Sequence, residues 1–117
     1  MADFGLTKKD LAGGVVLLDV QGYLDAHTFE QLDDAIEACF KGGKHRLIAK
    51  LDKVGYISSA GAGVFIGAIG KAKEKQGDIV LLSPSPNVRE VFDLLGLTRV
   101  FHVVATLNEA LAKFGAA

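Results

Sequence analysis

The chain has a single cysteine, Cys39, so it cannot close an internal disulfide. No Cys/His spacing suits a metal, and neither a metal site nor a cofactor is expected. There is no basic excess: thirteen Lys and Arg stand against fourteen Asp and Glu, for a net charge of −1. A general nucleic-acid binder needs a basic face, so no direct nucleic-acid partner is expected. The opening "MADFGLTKKD" lacks the apolar core of a signal peptide. Repeats, low-complexity tracts and linkers are also missing. One run, "VGYISSAGAGVFIGAIG" over 54–70, lacks charge altogether and sits at the short limit for a membrane span. Its five glycines and two serines lower its hydrophobicity. It reads as a strand end and helix of a soluble domain with no membrane partner, and a cytoplasmic setting is the expectation.

What is present suits one domain over residues 1–117, and nothing demands more than a monomer. Half the residues are hydrophobic and 23% are charged, enough to fill a core. "DFGLTKK" (3–9) reads as an edge strand, with Gly13-Gly14 as the turn after it. "VVLLDV" (15–20) is a continuous apolar run, as in a strand buried on both faces, and "GYLDAH" breaks it. Thr28 and Gln31 form a capping box for a helix whose apolar face is Phe29, Leu32, Ile36, Cys39 and Phe40, ended by Gly42-Gly43. "RLIAKLD" (46–52) is a strand, "SAGAGVFIGAIGKAKEKQ" (59–76) a helix and "DIVLLS" (78–83) a buried strand. A helix runs from Pro86 with Ser85 as its cap, "RVFHVV" (99–104) is the last strand, and Thr106 with Glu109 caps a final helix. The order β-β-α-β-α-β-α-β-α is that of an α/β domain, a mixed but mostly parallel sheet of four to five strands with about four helices. The first two strands pair as a hairpin. Right-handed crossovers bring the carboxyl ends of the parallel strands to one rim, where binding sites in such sheets lie. The Asp25 loop and the Ser58-Ser59 loop meet there.

Four chemistries compete for "YISSAGAG" (56–63). The glycines run G-x-G-x-x-x-G from Gly61, one residue off the dinucleotide fingerprint, and the P-loop pattern fails at Phe65 and Ala72. Gly61, Gly63, Gly67 and Gly70 cost roughly 0.8–1 kcal/mol each in a helix relative to alanine. Close approach to the sheet or to a partner must offset that. A hydrolytic triad of Ser59, His27 and Asp25 is crowded, lacks the G-x-S-x-G turn and lacks an oxyanion loop. The spacing favours a helix cap at Ser58 or Ser59 over both. A phosphate there would meet free helix N–H groups and the positive end of the dipole, adding about −1.5 to −2 charges to an uncharged surface.

"GYLDAHTFEQLDDAI" and "LDKVGYISSAGAGVFIGAIGKAKEKQGDIVLLSPSPNVREVFDLLGLTRVF" resemble the STAS domain of anti-sigma factor antagonists over residues 4 to 114. The resemblance implies a STAS-like single domain that is not an enzyme. Its unphosphorylated form binds an anti-sigma factor, often itself a serine protein kinase, and so frees a sigma factor for transcription. The kinase inactivates the antagonist and a metal-dependent serine phosphatase restores it. The family's D-S-S/T-G-L-G motif puts the phosphoacceptor at Ser59, with Ser58 as second choice because it stands where the aspartate usually is. Ala62 replaces the usual leucine. Asp25 matches an aspartate that lies near the phosphoserine, with bracing of its own loop as the equal alternative. The partner surface implied is Asp25, Ser58, Ser59, Gly61, Ala62, Gly63 and Phe65. Two other readings stay open: an unswitched scaffold with Ser59 only a cap, and, more remotely, a nucleotide-binding or hydrolytic protein.

Overall fold

The computed structural model describes residues 3–115. Strands β1 (Gly5–Asp10) and β2 (Val15–Leu24) form an antiparallel hairpin across a 3-10 turn at Ala12–Gly14. Then come α1 (Phe29–Lys41), β3 (Arg46–Ile57), α2 (Ser59–Glu74), β4 (Asp78–Leu82), α3 (Pro86–Leu94), β5 (Val103–Val104) and α4 (Leu107–Ala112). The sheet order is β1-β2-β3-β4-β5, with β2 to β5 parallel. The mixed α/β architecture read from the sequence holds. Among the described residues no helix is long and apolar enough to cross a membrane.

Strands that lie side by side in chain order, joined by right-handed crossovers, put every crossover helix on the same face. Accordingly α1, α2 and α3 share one core with the sheet: Leu32, Ile36 and Cys39 from α1, Phe65 and Ala68 from α2, and Val88 and Phe92 from α3 meet Leu18, Leu47, Leu51 and Leu81. Burial of each such Leu, Ile or Phe stabilises by roughly 1.5–3 kcal/mol. The opposite face has only α4 and the residues after it. There Ala110, Leu111 and Phe114 cover Val15, Ile48, Val80, Leu82 and Val104. Beyond them that face is open to solvent and polar. Lys50, paired in register with Asp19, lies 3.9 Å from its carboxylate and 3.7 Å from that of Asp52. Lys50 is therefore a cross-strand surface pair, of small energetic weight.

The structure corrects several element boundaries. β2 does not break at "GYLDAH" but runs to Leu24, and β3 runs to Ile57 rather than Asp52. Two register shifts, between Asp19 and Gln21 and between Gly22 and Tyr23, each place an extra residue in β3. These bulges change the strand's inward phase, so that Leu51, Val54 and Ile57 are all buried at a spacing of three. A period of two cannot reveal such an extension. The expected strand over 99–104 shrinks to Val103–Val104, preceded by a 3-10 turn at Leu97–Arg99. Phe101 leaves the sheet to fill the core, its ring 6.3 Å from that of Phe65.

Candidate functional site

The carboxyl ends of β2 and β3 lie side by side, with Leu24 opposite Ile57 and the Ser58 N–H donating to the Leu24 carbonyl at 2.9 Å. The Asp25 turn and the start of α2 are thereby adjacent, as the crossover rule anticipates.

The two serines have different roles. Ser58 is the N-cap of α2: its backbone is extended, its Oγ accepts from the Gly61 N–H at 3.3 Å, and its carbonyl accepts from Ala62 at 2.9 Å. Ser59 is the first helical residue and is exposed, and among the described residues no hydrogen bond engages its hydroxyl. The first turn carries no acidic residue, and the next charge along the chain is Lys71. Lys71 donates to Glu37 at 2.8 Å, tying α2 to α1. That hydrogen bond raises the Lys71 pKa above its ordinary value.

Gly61 explains how the helix docks here. A Cβ at this position would lie 2.6 Å from the Leu24 carbonyl oxygen and 2.8 Å from the Leu24 Cγ. Only glycine lets α2 sit this close to the end of β2. Gly63, Gly67 and Gly70 meet nothing within 4 Å, so packing on the sheet accounts for Gly61 alone. Ala62 is fully buried. The buried Gly61 and Ala62 do not line the partner surface expected of them, and Phe65 corrects the same expectation. It is 0% exposed and packs edge-on against Phe92 at 6.0 Å, so it belongs to the core and cannot line a partner surface. The exposed face of α2 instead presents Ser59, Gly63, Ile66, Gly67 and Gly70, with Ile66 51% exposed.

Asp25 braces its own loop. Its carboxylate accepts from the His27 N–H at 2.9 Å, and its carbonyl accepts from Thr28 at 3.2 Å and Phe29 at 2.9 Å. The Asp25 N–H donates to Thr28 Oγ1 at 3.0 Å. Thr28 makes no side-chain cap bond to α1, contrary to the capping box expected with Gln31. Its hydroxyl has one hydrogen, and the shorter contact, 2.7 Å to the Tyr23 carbonyl, takes it in preference to Asp25 Oδ1 at 3.3 Å. Ser85 likewise does not cap α3; it donates to the Val54 carbonyl at 2.6 Å and ties that helix to the bulged part of β3. Thr106 does cap α4, accepting from the Glu109 N–H at 3.2 Å.

The hydrolytic arrangement gains no support. The Asp25 carboxylate is bonded to the backbone of His27 rather than to its ring. Among the described residues no cluster of His, Cys, Asp and Glu could hold a metal ion. Sequence reasoning passed over Tyr23 and Tyr56. They pair across β2 and β3 with rings 6.0 Å apart, and are 39% and 49% exposed beside the rim. Their strand context appears only once the bulged extension is known, although two tyrosines flanking the motifs were a signal in themselves.

Known proteins agree with this architecture. Residues 8–110 match the family model described as the STAS domain. The candidate anti-sigma factor antagonist BtrV of Bordetella bronchiseptica is 32% identical over 105 residues, covering 90% of each chain. The anti-sigma F factor antagonist of Lysinibacillus sphaericus is 34% identical over 83 residues, 70% of this chain and 71% of its own. The anti-sigma factor antagonist SpoIIAA in its unphosphorylated form superposes with a TM-score of 0.83 at 27% identity, covering 97% of this chain and 98% of its own. Its phosphorylated form, from Bacillus, gives 0.75, also at 27% identity, over 94% and 99%. The chain belongs to the STAS-domain family, and within it to the anti-sigma factor antagonists, which are regulatory proteins.

Proposed function

We propose that the unphosphorylated protein binds an anti-sigma factor and so releases a sigma factor, and that phosphorylation of Ser59 ends that binding. The observation that carries this reading is the division of labour between the serines. Ser58 caps the helix, which leaves the Ser59 hydroxyl exposed and uncommitted at the helix start. A phosphate on Ser59 meets the favourable end of the helix dipole, so the fold survives the modification. It also puts about −1.5 to −2 charges on a surface otherwise free of charge from Val54 to Gly70. A partner that buries the Asp25 turn, Ser58, Ser59, Gly63 and Ile66 must then desolvate that charge. Tyr23 and Tyr56 suit the rim of the same interface, since exposed tyrosines beside a contact patch are common anchors. The anti-sigma factor is itself the serine kinase that writes the phosphate, and a serine phosphatase removes it. The existence of SpoIIAA in both forms supports the switch.

The test compares Ser59→Asp with Ser59→Ala against the cognate anti-sigma factor by calorimetry. Ser59→Asp is expected to lose binding by a hundredfold or more, about 2.7 kcal/mol, while its Tm stays near that of the parent. Equal affinities for the two variants would dispose of the charge block. Phosphopeptide mapping of protein from its own cells complements this. Trypsin releases Val54–Lys71, whose hydroxyl residues are Tyr56, Ser58 and Ser59. No phosphate under any growth condition would favour the unswitched scaffold, which the Ser58 departure from the family's aspartate keeps in view.

A further inference from the structure

The opposite rim of the sheet carries a second concave site, unrelated to the serine loop. The start of β3, the turn between β1 and β2 and the C-terminal ends of α1 and α2 enclose a cleft of about 380 Å³. Lys44, His45, Arg46 and Lys75 line it, and no Asp or Glu does. The rest of the lining includes Gly13, Gly14, Gly42 and Gly43, which leave the backbone bare of side chains. Two carboxylates stand beside it: Asp10 shares an adjoining groove with Lys44, and Asp78, the register partner of Arg46, accepts from the Ile79 N–H.

Cations at helix C-termini have an ordinary structural explanation, compensation of the dipole. It accounts for only part of these charges. The last carbonyls of α1 are met by backbone N–H groups of Gly42, Gly43 and Lys44, and those of α2 by Lys75, Gln76 and Gly77. Among the described residues neither Lys44 nor Lys75 makes a side-chain hydrogen bond or ion pair. Arg46 spends one N–H on the Gly13 carbonyl at 3.3 Å, and a guanidinium has five. The two helix ends contribute roughly −0.5 each. With Asp78 counted opposite Arg46 as well, three permanent cations leave about one positive charge in excess in a concavity of small-ligand size. This concentration is local, because the whole chain is at −1.

We propose that this cleft binds a small polyanion carrying two or more phosphate groups, through Lys44, Arg46 and Lys75. A small ligand fits better than a nucleic acid, which would need a basic track across an open face. The site lies at the far end of the strands from Ser59, so the proposal does not rest on the phosphorylation switch.

Inorganic triphosphate titrated into the full chain at physiological ionic strength, followed by calorimetry and by amide NMR, tests it. Shifts are expected at Gly13, Gly14, Gly43, Lys44, His45, Arg46 and Gln76. Lys44→Gln/Arg46→Gln/Lys75→Gln should weaken binding about tenfold or more, and Lys75→Gln alone about threefold. The single variant keeps the test alive if the triple one fails to fold. Lys9→Gln/Arg99→Gln/Lys113→Gln removes equal charge elsewhere and should leave affinity within about twofold. Equal losses in the two triple variants would overturn the proposal. So would shifts centred on the amides of Ser58 to Gly61, or orthophosphate binding as tightly as triphosphate.

Discussion

The two rims of the sheet differ in a way that the polarity of parallel strands explains. At the carboxyl rim α2 begins, its N–H groups point outward, and there are no side-chain charges on its first turn. At the amino rim α1 and α2 end, and Lys44, Arg46 and Lys75 gather around them. The first rim is tightly built: Gly61 brings α2 against Leu24, and Asp25 and Thr28 lock the neighbouring turn through backbone bonds. The second is open, with glycine pairs where side chains would be. A charge added to the first rim meets a helix dipole that welcomes it. An anion at the second needs side-chain cations to overcome the dipole ends. One sheet thus presents two electrostatic environments with an overall charge near zero.

Four substitutions probe this comparison. Gly61→Ala has the largest expected effect on stability. Its methyl would meet the Leu24 backbone, and overpacking of this kind costs about 1–3 kcal/mol. Urea denaturation reads it, and a loss near zero would mean that the tight docking of α2 is not needed. Ser58→Ala removes the cap and should cost about 0.5–2 kcal/mol, towards the low end given the 3.3 Å bond. Ser59→Ala should cost almost nothing in the same assay. If the two serines ranked the other way, the assignment of cap and acceptor would be reversed. Gly67→Ala lies on the open face of α2 and should stabilise by about 0.8–1 kcal/mol. A loss there would reveal a contact that the structure lacks.

A pH-dependent effect is expected at Cys39, which lies toward the amino rim. Burial, the main cause, pushes its thiol above the ordinary value of 9.0, with Lys8 lowering it and Asp10 raising it. A raised folded-state pKa leaves its contribution fully present below pH 9.0, and that contribution is lost as pH rises beyond. The parent protein should therefore lose slightly more stability than Cys39→Ala between pH 8 and pH 10, by roughly the linkage of one thiol. Parallel losses in thermal melts would show that the thiol ionises as freely folded as unfolded.

Elements and motifs were legible where the signal was local. The apolar spacing of Leu32, Ile36 and Cys39 marks α1, and "VVLLDV" and "DIVLLS" mark buried strands. The two rim loops and the two serines followed from connectivity. Hydroxyl partners were less legible. Thr28 and Ser85 stand at cap positions yet bond to the Tyr23 and Val54 carbonyls, acceptors at the end of β2 and in the bulged part of β3. Phe65 and Ile66 are neighbours in an unbroken apolar run, and only the rotation of α2 against Phe92 and Phe101 sends one inward and the other out.

By itself the sequence determined the order of strands and helices, the parallel sheet with its antiparallel edge, the meeting of the Asp25 and Ser58 loops, and the family. The first three depend on hydrophobic period, glycine and turn chemistry, or connection handedness, which act over a few residues at a time, and the family rests on the likeness of its motifs to known ones. The tertiary structure alone decided which serine caps α2, which face of α2 is exposed, that Tyr23 stands against Tyr56, and that Lys44, Arg46 and Lys75 share a cleft. Those outcomes depend on distances between segments far apart in the chain, set by two bulges in β3 and by how closely Gly61 lets α2 approach the sheet.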